Sequence, residues 1–377
     1  MSNYSNKSSF ALEGHGYGSQ SFEKPAPSNG SKWSPRNWSK KIWIIVGVVA
    51  AMIVAVIIIG AVVGTQKSAY PDYSPLSYTL QDTYHGSSFF DNFDYFTGYD
   101  PTHGFVHYVP AATAMSAQYN LTYASQSSAI LRVDTTDENA STGRYSVRIS
   151  SKKQYDQGLF IFDVLNSPYG CSTWNALWLA DETDWPLKGE IDVMEAVNKA
   201  NTGVQTTLHT SNNCKMNVKR KETGKALTTN CCNETDSNAG CGVQGPVDSY
   251  GAGFNANRGG IYAMELRDAG IRVWFFARNS IPSNIPTDVT NTTAPDPSVW
   301  PEPLADFPST HCDISSHFKN QSIIANIDLC GDWAGSTSVY STQSGCPGTC
   351  SNFVATNATA FDTAYWEWAS WRVYTAS

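Results

Sequence analysis

The sequence predicts an all-β fold, a large β-sandwich of jelly-roll type, preceded by a single transmembrane helix. Three observations predict it. From about residue 86 onward the chain breaks into short runs rich in β-branched and aromatic residues, each bounded by Gly, Asn, Asp or Pro. No long stretch there repeats its apolar residues with the period of a soluble amphipathic helix. Residues 42–64 carry no charged side chain at all.

Taken in order, residues 1–31 are rich in Ser, Asn and Gly without apolar periodicity, and residues 1–41 are expected to form a disordered cytoplasmic tail. As a helix, residues 42–64 would measure about 34 Å, enough for a hydrocarbon core of about 30 Å. The run is too long and too far from the first residue for a signal-peptide core. Lys32, Arg36, Lys40 and Lys41 precede it and only Lys67 closely follows. The positive-inside bias then places the tail in the cytoplasm and the rest across the membrane, a type II arrangement. Residues 1–41 hold six Lys/Arg against two Asp/Glu, a net of +4, which leaves -12 for the remainder.

All nine cysteines follow the apolar run. That suits an oxidising compartment, extracellular or in the secretory lumen, and the odd count leaves at least one unpaired within the chain. Cys346-x-x-x-Cys350 has metal-like spacing, but no second Cys unit or His pair completes a zinc set. No ligand cluster compels calcium. No cofactor is expected. Glycosylation sequons at Asn120, Asn139, Asn233, Asn291, Asn320 and Asn357 agree with this compartment, although Asn3, Asn6 and Asn37 also match.

Residues 65–85, with Pro71 and Pro75, read as a stalk, and residues 86–377 as the folded domain. Its expected strands are 105–109, 130–134, 145–150, 158–164, 176–179, 190–197, 204–210, 261–266, 271–277, 323–327 and 366–374. Residues 314–319 and 358–364 read as single helical turns. Residues 211–258 and 281–308 read as long loops, the kind that wall a binding cleft. The chain is weakly charged, 15% Asp, Glu, Lys and Arg, with 12% aromatic residues and a net charge of -8. That balance argues against nucleic acid and suits sugar rings, whose C–H faces stack on aromatic surfaces.

The chemistry concentrates in Gly189-Glu190-Ile191-Asp192-Val193-Met194-Glu195-Ala196-Val197. In a strand, Glu190 and Asp192 share a face, and Glu195 would fall on the other. One extra residue in a β-bulge at Val193 or Met194 returns Glu195 to the first face. Three acids in a row repel and desolvate one another, which drives their pKa values apart. A proton-holding carboxyl beside an ionised one is the working pair of glycoside hydrolysis. The alternative is a half-buried strand whose polar side happens to be acidic.

Around this strand stand Trp174-Asn175, Trp178, Trp185-Pro186 and Leu208-His209-Thr210-Ser211. Further blocks are Phe89-Phe90-Asp91-Asn92-Phe93-Asp94, Asp100-Pro101-Thr102-His103-Gly104-Phe105, Gly260-Ile261-Tyr262-Ala263-Met264-Glu265 and Cys330-Gly331-Asp332-Trp333-Ala334-Gly335. Together they resemble the fungal endo-β-1,3(4)-glucanases, laminarinase-like members of glycoside hydrolase family 16, over residues 86–375. The resemblance implies a concanavalin A-like jelly roll and a retaining hydrolysis of β-1,3- or mixed-linkage glucan. It implies Glu190 as nucleophile, Glu195 as acid and then base, and Asp192 as the group between them. It implies Trp178, Trp185, Trp174 and His209 as substrate-side residues, with His103 read as structural. Many relatives have Trp-Pro at Trp174-Asn175, which puts that loop's shape in question. Two rival readings are a wall-remodelling transglycosylase and a non-catalytic glucan-binding surface protein. The first is associated with a tighter acid spacing than the one here, and the second with loss of an acid.

Overall fold

The computed structural model describes residues 35–67, 69–199 and 202–376. The tail expected over residues 1–31 lies outside them. The chain divides into two compact units, Met1–Gly64 and Thr65–Ser377. In the first, a short turn Pro35–Asn37 precedes the helix Lys40–Lys67, which runs a little past the expected 42–64 at both ends. Its segment Lys40–Ala61 is long and apolar enough to cross a membrane, and none of it is buried.

The second unit is a sandwich of two eight-stranded sheets. The acid-bearing sheet runs Lys225–Ala226, Val243–Gln244, Gln205–His209, Glu190–Val197, Thr173–Ala180, Gln321–Leu329, Arg148–Tyr155 and Phe93–Tyr95. The opposite sheet runs Ala305–Pro308, Gly270–Ala277, Gly260–Arg267, Gly158–Asn166, Tyr365–Ala376, Ala129–Arg132 and Thr122–Ala124, with Tyr78–Tyr84 as its eighth strand, also paired to Tyr365–Ala376. The core comes from alternation. Leu177, Leu179, Ile191 and Leu208 point inward from one sheet, Phe160, Phe162, Trp368 and Trp371 from the other. Edge-on aromatic pairs such as Trp368–Trp371, with centroids 4.9 Å apart, pack between the sheets.

Each expected strand has its counterpart, and 145–150 proves to be two. Arg144–Ser146 pairs in parallel with Val106–Tyr108, and Arg148–Tyr155 joins the acid-bearing sheet. The turns at Ile314–His317 and Ala358–Phe361 fall where expected.

Two expectations need correction. Residues 65–85 are not simply a stalk, because Tyr78–Tyr84 is a strand paired with Tyr365–Ala376. Ahead of it, the Tyr70 and Tyr73 hydroxyls both donate to Asp306, and at its first residue the Tyr78 hydroxyl donates to Glu265. The Pro-rich stretch 281–308 is no cleft wall either. Its Ile285 and Trp300 pack with Ile261, Trp274 and Leu159 on the outer face of the opposite sheet. That second apolar layer explains why Gly158–Asn166 is buried on both faces over most of its length.

Four disulfides tie the loops: Cys171–Cys346, Cys214–Cys312, Cys231–Cys241 and Cys330–Cys350. Cys346 and Cys350 therefore have separate sulfur partners and form no metal pair. Cys232 is free and buried.

Candidate active site

The acid strand Glu190–Val197 contains the bulge its sequence calls for. Against Thr173–Ala180, Asp192 sits opposite Trp178 and Met194 opposite Leu177, so Val193 is the extra residue. Against Gln205–His209, Asp192 faces Thr207 and Glu195 faces Gln205, which leaves Val193 and Met194 across from Thr206 alone. The Thr206 hydroxyl donates to the Val193 carbonyl at 3.0 Å and helps hold the kink. The partners of Glu190, Asp192 and Glu195 are Ala180, Trp178 and Ala176 on one side and His209, Thr207 and Gln205 on the other. Partners two apart share a face, so the three acids share it too. Ile191, Val193 and Met194 are all buried in the core.

Around the acids, aromatic N–H groups supply the hydrogen bonds. The Trp174 indole donates to Glu195 at 2.7 Å, and the Trp185 indole to Glu190 at 2.5 Å. The Trp178 indole donates to Asn326 at 2.8 Å, and its ring lies under the Arg148 guanidinium at 4.8 Å. Trp178 is 9% exposed and lines the floor, whereas Trp185 is 40% exposed and offers its ring to solvent. The structure thus brings together every site residue the sequence singled out. His103 stands at the surface, paired with Asp332.

The electrostatics separate the acids. Burial, reinforced by the Asp192 charge, pushes Glu195 up to about 8. Burial and the neighbouring Glu190 charge push Asp192 up to about 7. Burial opposes a charge on His209, but Asp192, Glu190 and Glu195 outweigh it and raise the imidazole to about 10. His209 Nε2 faces Asp192 Oδ2 at 3.3 Å. The site can therefore hold a proton on Glu195 beside a carboxylate, which is what general acid catalysis needs near neutral pH.

Glu190, Asp192 and His209 each bring one possible ligand atom within 4.8 Å of the others.

Comparison with known proteins decides the family. Residues 93–374 match the profile described as the XgeA-like catalytic GH16 domain. The chain belongs to glycoside hydrolase family 16. It is 46% identical to a probable glycosidase of Schizosaccharomyces pombe, over 82% of this chain and 72% of that one. It is 38% identical to the endo-1,3(4)-beta-glucanase xgeA of Emericella nidulans, over 79% of this chain but only 47% of the relative. Among solved structures, the GH16 Laminarinase 16A of Phanerochaete chrysosporium, bound to beta-glucans, matches with a TM-score of 0.74 and 47% identity. That match covers 79% of this chain and 99% of the laminarinase. An elongating GH family 16 beta-1,3-glucosyltransferase matches with a TM-score of 0.72 and 38% identity, over 79% of this chain and 100% of that one. The GH16 chain is a glycoside hydrolase with the sheet-dominated jelly roll of its family.

Sequence reading missed several residues that pack around the site's aromatic and histidine side chains. Arg148, between the rings of Phe96 and Trp178, sits in a lysine-bearing strand with nothing to mark it. Trp333 packs edge-on against Trp174 at 5.7 Å, and only its motif block pointed to it. Asn238, whose side chain reaches His209 Nδ1 at 2.9 Å, lies in a loop of Ser, Asn and Gly that carries no local signal.

Proposed function

We propose that this GH16 chain is an endo-acting, retaining glucanase of β-1,3- or mixed-linkage β-1,3(4)-glucan. The observation that carries this reading is the bulge that puts Glu190 and Glu195 on one face, with Glu195 buried so that it keeps its proton. Glu195 gives its proton to the leaving glycosidic oxygen as Glu190 attacks the anomeric carbon. The bond to the leaving sugar breaks and a glycosyl–Glu190 ester forms. Glu195, now a carboxylate, takes a proton from water. That water attacks the anomeric carbon and releases Glu190 with the starting configuration restored. Trp174 and Trp185 orient the two carboxyls, and Trp185 offers a face to the sugar. Asp192 and His209 set the charge between them.

The helix Lys40–Ala61 anchors the chain, with the tail in the cytoplasm and the catalytic unit outside it. The Lys/Arg imbalance and the four disulfides support that orientation. A second reading, transfer to a sugar acceptor in place of water, draws on the likeness to the elongating glucosyltransferase. The test is the product profile of the full-length protein in detergent on laminarin and lichenan, with a labelled laminari-oligosaccharide present. Shorter unlabelled chains with new reducing ends are the expected result. Labelled longer products without net release of reducing ends favour transfer, and no product from either glucan counts against both readings.

A further inference from the structure

The far side of His209 is held by a loop that the two-acid chemistry does not by itself require. The loop is closed by Cys231–Cys241 and hangs from the strand Gln205–His209 at both ends. The Thr210 N–H donates to the Cys231 carbonyl at 2.8 Å, and the Cys241 N–H to the Leu208 carbonyl at 3.1 Å. Those two bonds bracket His209. Between them, Asp236, Ser237 and Asn238 stand at φ of 50°, 56° and 60°, in the left-handed region, followed by Gly240 at 62°. Consecutive non-glycine residues rarely adopt that conformation, and they persist only where their surroundings impose it. A Cβ on Gly240 would come within 2.8 Å of His209 Cε1 and 2.6 Å of the Leu208 carbonyl, so the loop lies directly on the ring. Its one polar contact with the ring is the Asn238 Oδ1 to His209 Nδ1 approach at 2.9 Å.

We propose that Asn238 is a positioning residue of the acid array. Its side-chain oxygen accepts the Nδ1–H of His209 and fixes the ring so that Nε2 points at Asp192. Through Asp192 it sets the charge beside Glu190. The inference rests on the reading of Glu190, Asp192 and Glu195 as the working acids. Which nitrogen of a histidine engages a carboxylate is decided by what holds the other nitrogen. Without Asn238, a buried Nδ1–H has no acceptor and the imidazolium loses one of its two supports. The charged groups facing the ring are Glu190, Asp192 and Glu195, all on the acid strand. The cystine loop offers it only the uncharged Asn238 and Gly240.

The test compares full-length wild type, Asn238→Gly and Asn238→Asp on laminarin across pH, with melting temperature measured alongside. Glycine takes a φ near 60° freely, so Asn238→Gly removes the amide without straining the loop. We expect its kcat to fall about tenfold, the factor that ~1.4 kcal/mol of barrier represents, with KM little changed. The basic limb of its pH profile, set by Glu195, moves up, because an imidazolium short of an acceptor holds less positive charge against that carboxyl. Asn238→Asp keeps an acceptor oxygen on Nδ1 and restores most of kcat. An Asn238→Gly variant with wild-type kcat and pH profile overturns the proposal. So does an Asn238→Asp variant as impaired as Asn238→Gly at matched melting temperature. A wild type that releases no reducing ends overturns the glucanase reading, and the proposal with it.

Discussion

Asp192 and Glu265 are both almost wholly buried carboxyls, 2% and 1% exposed, on opposite sheets of one sandwich. Their surroundings differ completely. Glu265 accepts from the Arg272 guanidinium at 2.5 and 2.9 Å and from the Tyr78 hydroxyl at 2.8 Å, with Arg267 at 3.6 Å. Its neighbour Asp306 accepts from Tyr70, Tyr73 and the Lys221 backbone. Among the described residues, no ion pair joins Glu190, Asp192 or Glu195 to an arginine or lysine. Asp192 Oδ2 makes no hydrogen bond, and the cation facing it is His209. A carboxyl kept for stability is surrounded by donors. Asp192, which sets the charge between the two glutamates, is left short of them, and burial beside Glu190 raises its affinity for the proton.

The comparison predicts opposite costs. Glu190→Gln is expected to lower reducing-end release by at least ~10³-fold while the melting temperature stays level or rises, since a repelling charge is removed. Arg272→Met is expected to lose about 3–5 kcal/mol of stability, because it removes both guanidinium hydrogen bonds from buried Glu265 and leaves it only the more distant Arg267. The folded fraction should keep its kcat. Denaturation curves and activity per folded molecule check both, and an Arg272→Met protein of unchanged stability breaks the comparison.

A smaller effect follows at the N-terminal edge. A chain beginning at residue 69 keeps Tyr70, Tyr73, Tyr78 and the strand Tyr78–Tyr84, and one beginning at residue 86 loses them all. The shorter chain is expected to melt at clearly lower temperature. Equal melting of the two would return these residues to the role of a stalk.

The smallest effect is the pH dependence of Glu195. Unfolded, its carboxyl releases the proton near 4.5, and folded it keeps it to about 8. Between those values the folded protein binds the extra proton, so this group makes stability fall as pH rises through the window. Catalysis should fall through the same upper value, as the general acid loses its proton. Glu195→Gln should flatten the stability profile in that window, and an unchanged slope would contradict the raised affinity.

Much of this was legible before any coordinates. The alternation in Glu190-Ile191-Asp192 and the five-step distance to Glu195 leave a bulge as the one way to align the acids. The β-branched and aromatic runs announce the long strands. What stayed hidden is non-local. Tyr78–Tyr84 alternates with polar residues behind two prolines, and its partner lies nearly three hundred residues on, at Tyr365–Ala376. Thr122–Ala124 and Phe93–Tyr95 are too short to stand out from turns. Cysteine pairing depends on which loops meet, and spacing does not encode that. Asn238 is one polar loop residue among many until the fold lays it on His209.

The alignment of the two glutamates is tested most directly by trapping. A 2-deoxy-2-fluoro laminaribiosyl fluoride slows the second step of a retaining enzyme and leaves the sugar on the nucleophile. Mass spectrometry of digested full-length protein should find the label on Glu190, and none on the Glu190→Gln variant. A label on Asp192 or Glu195, or turnover whose first product is the inverted anomer, would contradict the account.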